Sequence, residues 1–300
     1  MYVGSGGITI TSTDPDLSEE VRKYLSRRRF LALSGGASAT ALAGCLGPEE
    51  EEPTDNETDG EMDGEMSLGE RYPGLRILSE EPENAEAAER STYDDQFVTP
   101  VEELYIRNHY ATPDIDADQW TVSLTGLDED VELTVDEIRN DYSTETVTHT
   151  MQCSGNGRSY FEPTVGGNQW TFGAVGNNEW TGTPVSEILE DHGVSGEDGY
   201  LTVMGGEAPE GEDIFTRSIP MEKVMDDCLL AYEMDGEDVP PDHGYPIRFL
   251  VPGWFGNNNV KWVDRLHVMD MMVVGDEWES GDQRLYTHWQ QYSYRIIPKQ

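Results

Sequence analysis

Positive charge is what this sequence has least of. Its 300 residues hold 19 Lys or Arg against 60 Asp or Glu, a formal net charge of −41. Only four are lysines: Lys23, Lys223, Lys261 and Lys299. That balance excludes nucleic acid as a partner, because phosphate backbones bind to basic faces. Cysteine is scarce too, with only Cys45, Cys153 and Cys228. No Cys-x-x-Cys-His run is present, which excludes an attached c-type haem. A lone cysteine in its segment cannot make a zinc site, which takes three or four protein ligands.

The acid is spread along the chain. Residues 48–66 carry ten acids and no base, and residues 67–300 still hold 46 acids against 14 bases. A folded domain so acidic repels itself at low salt. At molar salt the Debye length is ~3 Å and the repulsion is screened. The composition predicts a halophile protein. It also makes the surviving cations informative, since one inside a Gly-rich motif is expected to face an anion.

The N-terminal region reads as an export signal. Arg27, Arg28 and Arg29 precede a short apolar stretch broken by Ser34, Gly35, Gly36 and Ser38, then Leu42-Ala-Gly-Cys45. The stretch is too short and weak for a membrane-spanning helix. Paired arginines, a short apolar region and small residues make a twin-arginine signal with a lipobox. Cys45 would be lipidated and would anchor the chain to the extracytoplasmic membrane face without spanning it. The expected organisation is a signal over 1–45, an acidic solvated tether over 46–70 and a catalytic domain over 71–300. With Cys45 so used, Cys153 and Cys228 remain for a possible disulfide. Cys228, in an apolar run, reads as a packing residue.

Strand signals dominate the domain. Trp120-Thr-Val-Ser-Leu-Thr-Gly126 alternates apolar and polar residues. Further strands are expected at 146–152, 200–204, 229–234, 247–251 and 260–269. Short helices are expected after Leu133-Thr-Val135, from Pro184 to His192 with Gly193 beyond, and from about Ser218 to Asp226. The fold class is α+β, with mixed sheets.

Four segments carry chemistry. In Met151-Gln-Cys153-Ser-Gly155-Asn-Gly157-Arg158 a strand runs into small residues, a thiol and a guanidinium. A thiolate beside an arginine is stabilised and suits a soft metal that brings its other ligands within a cofactor. A nucleophilic cysteine served by His149 fits the same residues. Tyr105-Ile-Arg107-Asn108-His109, Asp242-His243-Gly-Tyr-Pro-Ile-Arg248 and Gly256-Asn-Asn-Asn259-Val260-Lys261-Trp262 place cations and amides beside Gly or Pro. An anionic group with many acceptors, such as a phosphate, is their natural guest.

These motifs stand in one order with Asn178-Glu-Trp180-Thr-Gly182-Thr-Pro184, Ser218-Ile-Pro220, Leu230-Ala-Tyr232-Glu-Met-Asp-Gly236, Val251-Pro-Gly253 and Tyr286-Thr-His-Trp-Gln290. The order resembles the molybdopterin domain of the sulfite oxidase family from about 95 to 297. The resemblance implies one molybdenum-molybdopterin per chain, with Cys153 as the metal ligand. Tyr105, Arg107, Asn108, His109, His243, Arg248, Asn259, Val260 and Lys261 would hold the pterin and its phosphate. Glu207 falls where animal enzymes have an aspartate touching the cofactor. Arg107, Arg158, Trp180 and Tyr232 would line the substrate pocket. Gly157 departs from the animal arginine, and the family's immunoglobulin-like dimerisation domain is expected to be absent. The implied reaction is oxygen-atom transfer, sulfite to sulfate, with electrons leaving to a haem or copper protein. Reduction of S-oxides or nitrate, anion binding without catalysis, and thiol hydrolysis by Cys153 and His149 are the rival readings.

Overall fold

A computed structural model describes residues 66–272, apart from 95, 197, 198, 211 and 213. The expected export signal, Cys45, the acidic run through Glu65 and the motif at 286–290 lie outside the described residues. The elements run α1 (Leu68–Arg71), β1 (Leu75–Ser79), β2 (Asn84–Ala87), β3 (Ile106–Arg107), β4 (Thr121–Thr125), β5 (Val131–Thr134) and α2 (Val135–Asn140). Then come β6 (Glu145–Gln152), β7 (Val175–Pro184), α3 (Val185–Asp191), β8 (Tyr200–Gly205), β9 (Thr216–Pro220) and α4 (Met221–Asp227). The last are β10 (Leu229–Met234), β11 (Glu237–Asp238), β12 (Arg248–Leu250) and β13 (Val263–Met269). Strands and short helices in mixed sheets match the expected α+β class.

Local chemistry explains where helices begin. Thr134 accepts a hydrogen bond from the Glu137 amide at 3.2 Å, and the Glu137 carboxylate receives the Thr134 amide at 2.8 Å. This capping box ends β5 and starts α2. Three expectations shift. Residues 68–71, inside the stretch read as tether, form α1, with Leu68 buried among Tyr72, Leu75, Ala85 and Ile106. Ser218-Ile-Pro220 ends a strand, and the helix starts only at Met221. Residues 260–262 do not extend β13, because Trp262 turns the backbone to φ 50°.

Three sheets result. One is β1-β2-β3. The second runs β11-β10-β7-β6, with β12 also on β10, all antiparallel. The third runs β5-β4-β13-β8-β9 and contains one parallel pair, β4 with β13. The period-2 alternation of β10 divides the interior. Leu230 and Tyr232 enter the large core with Val122, Ile188, Val203 and Leu266. Leu229, Ala231 and Met234 enter the other core with Tyr105, Met151, Trp170 and Trp180. On β12, Phe249 joins the large core and Leu250 the second. Cys153 and Cys228 are both free thiols, so the possible disulfide is not formed. Cys228 is buried as a packing residue.

Candidate active site

On β6, His149 and Met151 are buried on one side, and Cys153 follows in the same alternation. The Cys153 amide donates to the Ala174 carbonyl at 2.9 Å. Its thiol accepts from the Gly155 amide at 3.4 Å. The thiol opens on a cavity of about 440 Å³. Cys153, Arg158, Tyr105, Trp170 and Met151 form one part of the wall, with the loop Gly166-Gly167-Asn168. Arg107, His109, Glu207, His243, Arg248, Asn259 and Lys261, also expected at the site, line the wall as well. Segments distant in sequence therefore converge as the motifs suggested.

Two further residues act from behind the wall. Asn108 is buried and accepts from the Lys261 ammonium through its side-chain oxygen. Its amide nitrogen donates to Glu83 at 3.1 Å and to Thr112 at 2.8 Å. Val260 packs in the large core, and its carbonyl receives the Phe249 amide at 2.8 Å. Both hold Lys261 in place without lining the cavity.

Tyr232 and Trp180, expected in the substrate pocket, are not on the wall. Alternation along β10 turns Tyr232 into the large core, where its hydroxyl meets Thr144 at 3.1 Å and Arg139 covers its ring. Trp180 is fully buried, with the Arg248 guanidinium carbon 5.2 Å from its ring centre. It backs a wall residue instead of meeting substrate. Tyr232→Phe is therefore expected to leave turnover unchanged and to lower stability by ~1 kcal/mol, the worth of one hydrogen bond. Steady-state kinetics and chemical unfolding of the variant check both halves.

The electrostatics mark the cavity. Among the described residues, Arg71, Arg76, Arg139 and Lys223 pair with carboxylates. Arg107, Arg158, Arg248 and Lys261 do not, although acids outnumber bases threefold. Arg248 donates to the His243 carbonyl at 2.9 Å and the Asn259 carbonyl at 3.3 Å. Burial pushes Arg248 down to about 10 and lowers Lys261 and His243 further from their ordinary values. Such burial without a counter-ion is costly unless an anion completes it.

Unpartnered atoms describe the guest. His243 Nε2, Glu207 Oε2, Asn257 Oδ1 and Arg248 Nε are buried with no partner among the described residues. Each such atom costs ~1–3 kcal/mol until a ligand satisfies it. Acceptors and donors around one cavity suit a flat heterocycle with both on its edge, and the cations suit its phosphate. A molybdopterin has this donor set. Burial pushes the Cys153 thiol up, while the Gly155 amide, Arg107 and Arg158 pull it down. A raised thiol is a poor free nucleophile and becomes a thiolate when a metal takes its proton's place. His149 is not on the wall and receives the Gly253 amide at 3.4 Å, so it is not placed as a base for Cys153.

Burial also pushes Glu207 up to about 7. Its folded value exceeds that of an unfolded carboxyl, so the native state binds the extra proton. Cofactor-free protein should therefore lose roughly 3 kcal/mol through this group as pH rises from 4.5 to 7. Denaturant unfolding of the wild type and Glu207→Gln at pH 5 and 8, at fixed molar salt, tests this. The loss on raising pH is expected to be smaller in the variant by that amount.

The sequence reading missed Met151, Trp170, Phe215, Arg217, Asn257 and Trp262 on the wall. Met151 and Trp262 stood inside quoted motifs but look apolar. Arg217 directly precedes Ser218-Ile-Pro220, and no motif marks it.

Comparison with known proteins identifies the family. Residues 109–275 match the family model described as "Oxidoreductase molybdopterin binding domain". The chain is 32% identical over 234 residues to "Sulfite oxidase, mitochondrial" of Rattus norvegicus, covering 75% of this chain and 40% of that protein. It is 35% identical over 232 residues to the Drosophila melanogaster protein of the same name, covering 75% and 38%. It is 32% identical over 238 residues to "Nitrate reductase [NADH] 1" of Nicotiana tabacum, covering 74% and 26%. The solved sulfane dehydrogenase SoxCD from Paracoccus pantotrophus superposes with a TM-score of 0.59 at 27% identity, covering 76% of this chain and 59% of that one. The chain thus spans about two fifths of the sulfite oxidases it matches and a quarter of the nitrate reductase. The cofactor of this family is molybdenum-molybdopterin. With a family model over more than half its length and relatives over three quarters, the chain belongs to the oxidoreductase molybdopterin-binding domain family.

Proposed function

We propose that the chain is a molybdenum-dependent oxidoreductase that oxidises sulfite to sulfate and passes the electrons to an external haem or copper protein. The observation that carries this reading is the pair of guanidiniums, Arg107 and Arg158, that act on the Cys153 thiol from the cavity wall. Two fixed positive charges match a sulfur oxyanion carrying up to two negative charges. Nitrate carries one, and an S-oxide none.

The cofactor, when bound, supplies oxygen-atom transfer and a store for two electrons. Cys153 would give the thiolate, and Arg107, His109, His243, Arg248, Asn259 and Lys261 would hold the pterin. Arg107 and Arg158 would bind the anion and offset its charge. Burial raises the Tyr105 phenol far above its ordinary value, so it keeps its proton. Its hydroxyl stands on the wall as a neutral donor, the part the sequence reading had given to Tyr232. Trp170 and Met151 exclude water beside the thiol.

Nitrate reduction is the second reading, favoured by the nitrate reductase relative. Assays at molar salt separate the two. Sulfite-dependent reduction of an artificial acceptor, without nitrate-dependent oxidation of a reduced dye, is the expected result. The reverse pattern would replace sulfite by nitrate.

The reading extends to location. Twin arginines and Leu42-Ala-Gly-Cys45 support export and a lipid anchor on the outer membrane face. No helix among the described residues is long and apolar enough to cross a membrane. Membrane-bound protein released by Cys45→Ala supports the anchor, and equal partition of both forms refutes it. The net charge of −41 supports a saline setting, where unfolding free energy rises with KCl.

A further inference from the structure

The Lys261 ammonium is held in a closed ring of hydrogen bonds behind the cavity wall. It donates to the Asn108 side-chain oxygen and, at 2.7 Å, to the Asp242 carbonyl. The Asn108 side-chain nitrogen donates to the Thr112 hydroxyl at 2.8 Å, and that hydroxyl donates to Asp242 Oδ1 at 2.6 Å. Asp242 closes the ring, accepting from Thr112 through its carboxylate and from Lys261 through its main chain. Each role in the ring is determined. An ammonium only donates, so Asn108 turns its oxygen to Lys261 and its nitrogen to Thr112. The hydroxyl proton is then left for Asp242.

The ring is also tied from outside. Arg71, the last residue of α1, pairs with Asp242 Oδ2. The Glu83 carboxylate accepts from the Asn108 side chain at 3.1 Å and from the Thr112 amide at 3.0 Å. Asn108 and Asp242 are buried, so an unmade bond in the ring is costly. Of the four ring residues, only Lys261 lines the cavity. An ammonium has three donors, and the ring takes two. The Trp262 ring, centred 4.2 Å from Nζ, lines the cavity beside it. A free lysine stem loses rotamer freedom when it meets an anion, whereas one fixed at folding has already lost it.

We propose that Thr112, which belongs to no motif of the family resemblance, is a positioning residue of the cofactor site. Through Asp242 and Asn108 it holds the Lys261 ammonium where the remaining donor meets an anionic group of the cofactor. The proposal rests on the family's cofactor and is independent of which oxyanion reacts near Cys153.

The test uses full-length wild type, Thr112→Val, Thr112→Ser, Lys261→Met and the Thr112→Val/Lys261→Met double variant, produced in a host that makes the cofactor. The rate of pterin loss from each purified protein is measured at fixed molar KCl. Melting of the cofactor-free forms checks that each folds. Valine keeps the shape of Thr112 and removes the hydroxyl. Thr112→Val is expected to lose pterin ~2- to 10-fold faster than wild type, the scale of one neutral hydrogen bond. Thr112→Ser keeps the hydroxyl and should stay near the wild-type rate. The double variant separates positioning from mere stability. Without the ammonium there is nothing for Thr112 to position, so Thr112→Val should add no further loss to Lys261→Met. The same fold-increase with and without Lys261 would overturn the proposal and leave Thr112 a purely structural residue. Pterin loss at the wild-type rate in Thr112→Val, or equally fast loss in Thr112→Ser and Thr112→Val, would overturn it as well. A folded wild type without pterin would refute the cofactor assignment and this proposal with it, a result distinguished by the failure of the wild type itself.

Discussion

Cys153→Ser is expected to abolish turnover and strip the metal while leaving the pterin largely in place. The serine hydroxyl is a hard oxygen whose proton is far more tightly held than a thiol's, so it is a poor ligand for a soft metal. Loss of an outer-shell partner of a metal ligand already costs about 10–100-fold in metal affinity or activity. Loss of the ligand itself should cost at least that much. The pterin has separate holds. Arg248 is fixed on the His243 and Asn259 carbonyls, and Lys261 is fixed by Asn108 and the Asp242 carbonyl. None of these touches the thiol. Molybdenum and pterin assayed on the same sample should therefore part company, with metal lost and pterin kept. Equal molybdenum in variant and wild type would remove Cys153 from the metal.

Arg158→Met is the second large effect, and it falls on the substrate. The guanidinium donates to the Asn168 carbonyl at 3.0 Å. A Cβ on Gly155 would come within 2.7 Å of one of its terminal nitrogens, and a Cβ on Gly167 within 2.6 Å of the other. Both positions therefore lack a side chain where the guanidinium passes, and the loop forms a slot around it. A hydrogen bond to a charged partner contributes ~1.5–3 kcal/mol, or about 10- to 150-fold in kcat/KM. The expected fall lies in that range, with molybdenum and pterin content unchanged. Gly167→Ala should reproduce part of the fall by displacing the guanidinium, although its backbone, at φ +99°, will also resist the side chain. A normal kcat/KM for sulfite in Arg158→Met would exclude a role in anion binding.

Much of this was legible in the sequence because the informative residues break local rules. Arg158 among small residues, and Lys261 as one of four lysines, stand out against a chain of net charge −41. β4 follows from alternation, β6 from its run of β-favouring residues, and the start of α2 from Thr134 and Glu137. What failed was the direction in which side chains point. Tyr232 sits in a motif of the family, but from Leu229 to Tyr232 successive residues face different cores, and Leu230 and Tyr232 share the face away from the cavity. Alternation along 229–232 could have signalled this, since Leu229 and Ala231 join the core that holds Tyr105 and Trp170, whereas the register shift after Ala231 returns Met234 to that core. Trp180 was placed in the substrate pocket by the family resemblance alone, but its full burial under Arg248 is a packing role. Arg217 had no sequence signal beyond being a cation in an acidic chain. Its place depends on the pairing of β9 with β8, which brings Arg217 opposite Val203.

The same geometry assigns the scarce cations their work. Those on the outside are spent on ion pairs such as Arg139 with Glu233 and Asp238. Arg107, Arg158, Arg248 and Lys261, which form no ion pair with a carboxylate among the described residues, line the cavity, where an anionic cofactor and substrate would complete them.

The central claim is most directly tested by metal and pterin analysis of the wild-type chain, expressed with its signal in a halophilic host that makes the cofactor. The account predicts about one molybdenum and one pterin per folded chain, as one cavity with one thiolate requires. Folded protein that carries neither, purified from such a host at molar salt, would contradict it.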